Sequence, residues 1–293
     1  MPVADGFEVI SVKAGDYELN CYSAGHSENV LLCLNGGPGL PSRYLRAAHL
    51  CLAEKGFRVV AYDQLECGAS PRPDDPALWT IARYADEVEA VREGLGLGRI
   101  HLLGHSWGGW LAVEYMARHG GAVRSLVLAD TCANIPHLSR ELARLRAALG
   151  AETEEMMLAH EAAGTLEHPE YQAAVTLLNH RHVCRLREWP EPLSESLADW
   201  NMAVYRTMQG PNEFLYTGNL SGWNRWDSLA QIRCPVLIVV GQHDEITPTC
   251  AREMHDRLPA STVAVFRNSS HMPFYEEAEA YRERLLGFLR AGG

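Results

Sequence analysis

Six short apolar runs recur along this chain: "VLLCLN" (30–35), "FRVVAY" (57–62), "RIHLLG" (99–104), "SLVLAD" (125–130), "PVLIVVG" (235–241) and "TVAVFR" (262–267). Each is continuous rather than alternating, the pattern of a strand covered on both faces. Helical patterns lie between them, at 42–55, 80–95, 107–119, 248–258 and 274–290. Strands alternating with helices predict a mostly parallel, doubly wound α/β sheet with right-handed crossovers. Ahead of it, "FEVISVK" and "YELNCYSA" flank a "GD" turn and predict a hairpin. The alternation fails between 131 and 227, where "LSRELARLRAALG", "EEMMLAHEAAG" and "SESLADWNMAVYRTM" carry helical spacing and prolines 169, 190, 192 and 211 punctuate the chain. The predicted organisation is a core of 1–130 and 228–293 with a helical insertion over 131–227.

Composition narrows the function. With 293 residues, 47% hydrophobic and 22% charged, the chain has material for a large core. A formal net charge of −11 argues against a nucleic-acid partner. No apolar run has the length of a membrane span, and "MPVADGFEVISVKAG" lacks a basic start and an apolar stretch, so the expected setting is the cytoplasm. The eight cysteines are scattered and form no C-x-x-C pair, as expected of small buried hydrophobes in a reducing compartment. Neither metal nor cofactor is expected.

The chemistry concentrates at strand exits. "GHSWG" places Gly104, His105, Ser106, Trp107 and Gly108 between a strand and a helix. A sharp turn there lifts the central side chain above the sheet, and small residues two before and two after let the backbone pack that tightly. The serine then sits in the field of a helix N-terminus, which favours an oxyanion. Upstream, "NGGPG" (35–39) is a second glycine-rich loop after a strand. Acyl transfer needs two N–H donors at the developing oxyanion, and the backbones of Gly37 and Trp107 are the candidates. A serine also needs a base held by a carboxylate. His49, His160 and His180 sit in helical patterns, whereas His271, in "NSSHMPF", follows the last strand. Asp244, in "GQHDEITP", follows the preceding one, with Glu245 beside it. The order Ser106, Asp244, His271 is that of an α/β-hydrolase triad. One of the two neighbouring acids then holds His271, and the other has no role from spacing alone.

With these motifs, "YDQLECGAS" and "GPNEFLYTG", the chain resembles the proline iminopeptidase family of α/β-hydrolases along nearly its whole length. The resemblance implies an α/β-hydrolase fold with the insertion as a helical cap. It also implies removal of an N-terminal residue from a peptide, or of an aminoacyl group from a small amine or natural-product intermediate. By the same resemblance Glu213, in "GPNEF", and Glu245 hold the substrate's α-ammonium. Two close carboxylates repel, and a bound cation relieves that repulsion while donating charge-assisted hydrogen bonds to both. Tyr205, eight positions before Glu213, is a candidate for lining the same pocket. The chain departs from the family where Asn35 replaces a histidine before the glycines, Glu66 a glycine and Ala69 an arginine.

The expected mechanism follows. His271 deprotonates Ser106, the Gly37 and Trp107 N–H groups receive the oxyanion, and water hydrolyses an aminoacyl-enzyme. The expected partner is a small molecule or short peptide with a free α-amine. A general carboxylesterase or lactonase would use the same triad without needing that amine. An epoxide hydrolase or dehalogenase is disfavoured, since those relatives carry aspartate where Ser106 stands. Trp107, Trp110, Trp200, Trp223 and Trp226 are candidates for bounding a compact apolar site.

Overall fold

A computed structural model describes residues 3–292. In chain order the strands are β1 (Val3–Ala4), β2 (Phe7–Ala14), β3 (Tyr17–Ala24), β4 (Val30–Leu34), β5 (Arg58–Tyr62), β6 (Ile100–His105), β7 (Val123–Ala129), β8 (Val236–Gly241) and β9 (Ser261–Phe266). They form one sheet in the order β1-β2-β3-β5-β4-β6-β7-β8-β9. The hairpin joins through β3 antiparallel to β5, and every pairing from β5 to β9 is parallel.

The helices are α1 (Arg43–His49), α2 (Ile81–Gly94), α3 (Trp107–His119), α4 (Ile135–Ala147), α5 (Ala151–Ala163), α6 (Pro169–His182), α7 (Glu191–Ala198), α8 (Met202–Met208), α9 (Trp226–Leu229), α10 (Pro248–His255), α11 (Pro273–Glu276) and α12 (Ala278–Ala291). The apolar runs are continuous because both sheet faces are covered. Val30, Leu32 and Leu34 pack with residues of α2, α3 and α10, while Leu31 and Cys33 pack with α1 and α12. The same split runs through β6, β7 and β8.

Two expectations need correction. The run at 262–267 is not covered on both faces: β9 is the edge of the sheet, mostly half-exposed, with Val265 open to solvent. The stretch 194–208 is not one helix. It breaks after Ala198, and the Asn201 side chain caps α8 by accepting from the Ala203 and Val204 N–H groups. A capping asparagine competes for those donors, so helical spacing on either side does not carry the helix through it. Between β7 and β8 the described residues form helices α4–α9 and no strand beyond isolated bridges. All eight cysteines are free, six of them buried.

Candidate active site

Ser106 lies between the end of β6 and the start of α3, with φ 56° and ψ −124°. That left-handed backbone is costly for a residue with a Cβ and marks a site where the side chain's position matters more than local strain. The flanking glycines are required by contact. A Cβ on Gly104 would run into the Gly108 carbonyl, and one on Gly108 into the Leu34 carbonyl.

His271 and Asp244 meet across the ends of β8 and β9. His271 Nδ1 lies 2.7 Å from Asp244 Oδ1 and 3.2 Å from Glu245 Oε1. The hydrogen bond goes to Asp244, which also accepts from the Ile246 N–H on the same oxygen. Burial opposes the charged imidazole of His271, but Asp244, with Glu213 and Glu276 behind it, outweighs burial and lifts its pKa above the ordinary value. With Nδ1 donating to Asp244, Nε2 is the free nitrogen. Ser106 and His271 line one cavity, and no hydrogen bond joins the two side chains among the described residues.

The two expected oxyanion donors are free. Gly37, at φ 116°, and Trp107, the first residue of α3, donate no backbone hydrogen bond among the described residues. The loop before them is tied down by Asn35, whose amide donates to the Leu40 carbonyl at 2.5 Å. That tether shows how the loop holds its shape with asparagine in place of histidine.

A relay that sequence reasoning missed connects this loop to the base. The Gly36 N–H donates to Tyr44 Oη (2.7 Å), Tyr44 O–H to His105 Nδ1 (2.7 Å), and His105 Nε2–H to the His271 carbonyl (2.9 Å). Burial, then the neighbouring His271, pushes the His105 pKa well down, so the ring is neutral and this donor order is consistent. The signal was present in the sequence as a histidine inside "GHSWG", but nothing local distinguishes it from a core residue.

Glu245 is 1% exposed, and neither of its oxygens has a hydrogen-bond partner among the described residues. Burial, then Asp244 and Glu213, raises its pKa well above the carboxylate range. Glu213 is only partly covered and lines the cavity with Ser106 and His271. Its pKa is also raised, by burial first. Gln209 Nε2 holds it, donating to Glu213 Oε2 (2.8 Å) and to Tyr205 Oη (2.7 Å). Tyr205 is therefore behind Glu213 and outside the cavity wall, which corrects its expected placement.

The cavity holds about 190 Å³. Beside Gly37, Ser106, Glu213 and His271 it is walled by Leu40, Val183, Trp189, Leu193, Leu197 and Trp200. Of the five tryptophans singled out from sequence, Trp200 alone is in this wall. Trp107, Trp110 and Trp223 pack against one another in the core, and Trp226 lies under Arg257. Trp189 was missed.

Glu66 takes φ 75° and is fully buried. Its side chain accepts from the Asp74 N–H (2.8 Å) and Trp79 Nε1 (3.2 Å), and its carbonyl accepts from Asn201 Nδ2 (3.0 Å). A glycine's backbone is thus kept while the added carboxylate ties the loop inward. Among the described residues, the other tight group of imidazole and carboxylate atoms is His160, His168 and Glu170 on the insertion's surface.

A parallel sheet with a serine at a strained strand–helix turn, followed in order by an acid and a histidine at later strand ends, defines an α/β-hydrolase. The family model for the alpha/beta hydrolase fold matches residues 29–278. A proline iminopeptidase of Lactobacillus delbrueckii subsp. lactis is 37% identical over 281 residues, 94% of this chain and 95% of that one. Among solved structures, VinJ superposes with a TM-score of 0.93 at 35% identity, covering 98% of this chain and 99% of that one. The proline iminopeptidase of Mycobacterium smegmatis does so with 0.90 at 36% identity, covering 97% and 98%. The chain belongs to the proline iminopeptidase family of α/β-hydrolases, and it is a hydrolase. No helix among its described residues is long and apolar enough to cross a membrane.

Proposed function

We propose that this hydrolase cleaves the amide bond after an amino acid whose α-amine is free, through an aminoacyl-Ser106 intermediate. The observation that carries this reading is Glu245: a fully buried carboxylate with no hydrogen-bond partner among the described residues and only His271 Nδ1 at 3.2 Å, near a second carboxylate at the wall of the cavity that holds Ser106. Ionising such a buried group is costly, so its charge calls for a cation that arrives with the substrate. An α-ammonium between Glu213 and Glu245 satisfies both carboxylates and sets the distance to the first carbonyl.

In this mechanism His271 Nε2 takes the Ser106 proton as Oγ attacks. The Gly37 and Trp107 N–H groups receive the oxyanion, and His271 returns the proton to the leaving amine. Water then attacks the aminoacyl ester by the same route. Residues 131–227 act as a cap, supplying Glu213 and much of the cavity wall. The apolar wall of Leu193, Leu197, Trp189 and Trp200 supports an apolar portion on the leaving amine. The volume exceeds the roughly 150 Å³ that accommodates a benzene ring, so a ring-sized group fits. The substrate class is therefore a short peptide or an aminoacylated small molecule, including a natural-product intermediate. The free thiols support a cytoplasmic setting.

The test is a panel of prolyl-, alanyl- and acetyl-anilides beside short esters, followed by larger aminoacylated amines. Turnover of the aminoacyl anilides, with the acetyl anilide inert, is expected. Hydrolysis confined to esters, indifferent to an α-amine, overturns the proposal in favour of a carboxylesterase or lactonase.

A further inference from the structure

Asp130 has no part in the mechanism above, yet it is placed with care. It follows β7 directly and takes φ 50°, a left-handed backbone that turns its side chain across the end of β8. Its N–H donates to the Val239 carbonyl (2.8 Å), and its Oδ1 accepts from the Gly241 N–H (3.0 Å). The residue is 0% exposed. Its second oxygen, Oδ2, is buried without a partner. Asp244 is in the complementary condition: Oδ1 serves His271 and the Ile246 N–H, while Oδ2 is buried without a partner. Asp130 Oδ1 reaches the Gly241 N–H, three positions before Asp244, so the two unpaired oxygens belong to carboxyl groups at neighbouring strand exits.

We infer that Asp130 is a neutral carboxylic acid whose Oδ2–H donates to Asp244 Oδ2, so that the carboxylate holding His271 is itself held by a second acid. One proton satisfies both orphaned oxygens. Two ionised carboxylates at that separation would leave both unsatisfied and add like-charge repulsion in a dry interior. The groups facing Asp130 agree. Asp244 and Glu276 are acids, Tyr44 of α1 and Tyr281 of α12 are neutral, and among the described residues no arginine, lysine or histidine nitrogen lies within 4.0 Å of its carboxyl. Burial first, then Asp244, raises the Asp130 pKa well above the carboxylate range. Glu245 also lies beside Asp244 and is the rival holder of that proton. Asp130 is the better placed, because its other oxygen is already committed to Gly241 and its orientation is fixed.

Asp130 is then a positioning residue, acting through Asp244. It fixes the direction of the Asp244 carboxylate without adding charge near His271. This rests on the assignment of Asp244 as the acid of the triad, but not on the identity of the substrate.

The test compares D130N, D130A and E245Q in the full-length protein. In D130N the new side-chain amide would donate to Asp244 Oδ2 and its oxygen would accept from Gly241, so this variant should keep kcat within about threefold. D130A should lower kcat about tenfold or more with KM little changed. The acid limb of the kcat/KM profile should be the same in D130N and wild type. Wild-type minus D130N infrared difference spectra at pH 8 should show a protonated carboxyl C=O band, distinct from any band removed by E245Q. A downward shift of the acid limb in D130N by about one pH unit would mean that an ionised Asp130 had been supporting His271. That shift, or a carboxylic-acid spectrum left unchanged by D130N, overturns the inference. If D130A does not fold, the D130N profile and spectrum decide alone. Loss of aminoacyl specificity with these results intact would sink the substrate proposal and leave this one standing.

Discussion

Glu245→Gln separates amine recognition from the rest of catalysis, because Glu245 touches two things. It is proposed to hold the ammonium with Glu213, although Glu213 and not Glu245 lines the cavity, and its Oε1 lies 3.2 Å from His271 Nδ1. Loss of the first affects only substrates with an α-amine; loss of the second affects all. The second is small, since the 2.7 Å hydrogen bond from His271 to Asp244 remains. The first is large. Two unit charges 4 Å apart attract by about 4 kcal/mol at an effective dielectric near 20. Desolvation of the ammonium returns part of that, and Glu213 retains some hold. A net of about 2–3 kcal/mol remains, which is roughly a 30- to 150-fold loss in kcat/KM. On an acetyl ester the loss should stay within about fivefold. The assay is steady-state hydrolysis of an alanyl anilide and an acetyl ester by the same preparations. Equal losses on both substrates would refute the amine-holding role. Stability supplies an independent check. Burial raises the Glu245 pKa, so the folded protein binds its proton more tightly than the unfolded chain. Below the ordinary carboxylate pKa both states are protonated and there is no penalty. As pH rises through that value toward the folded one, the unfolded chain ionises first and the wild type loses stability. The Tm gain of Glu245→Gln should therefore be larger at pH 8 than at pH 5.

Ser106→Ala should reduce turnover by about 10⁵–10⁶-fold and abolish labelling by a fluorophosphonate. Its Tm should stay within about 2 °C of wild type, because the hydroxyl makes no hydrogen bond among the described residues and the change removes only one atom at the cavity wall. Asp244→Asn should lower kcat by about 10³–10⁴-fold. Because Asp244 holds the His271 pKa up against burial, the acid limb of kcat/KM should move to lower pH in this variant; an unmoved limb would show that another group sets it. Gly108→Ala puts a Cβ against the Leu34 carbonyl, so a loss of about 3 kcal/mol or more is expected in chemical denaturation. Near-wild-type stability there would mean the turn is looser than drawn.

The sheet was legible because its strands carry their own signal. Leu31 and Cys33 face one layer and Leu32 and Leu34 the other, so every position in the run is apolar and the strand stands out from its surroundings. β9 misled for the converse reason: "TVAVFR" has the composition of a covered strand, but edge position is a property of topology, and residues 262–265 say nothing about having no neighbour. The helices of the insertion were legible as a class and not in detail. Asn201 ends the pattern through a side-chain cap, and a capping asparagine looks like any polar residue on a helix surface until the donors it meets are known.

The site shows the same division more sharply. Ser106, Asp244 and His271 were legible because each stands at a strand exit, where the backbone path alone fixes which side chains share an edge. The residues that tune them come from elsewhere. Gln209 holds Glu213 from four positions away, but the Asn201 side chain ties the start of α8 to the Glu66 carbonyl across 135 positions of sequence. His105 and Tyr44 join Gly36 to the His271 carbonyl through three hydrogen bonds whose partners are 8, 61 and 166 positions apart. No local pattern encodes such pairs, because nothing about either partner's neighbours depends on the other. Glu66 makes the point from a substitution. Read locally, a carboxylate where the family has glycine threatens a turn that needs positive φ. In the fold, the same carboxylate finds the Asp74 N–H and Trp79 Nε1, and these two hydrogen bonds, one buried and one part-buried, offset the roughly 1–2 kcal/mol of left-handed strain.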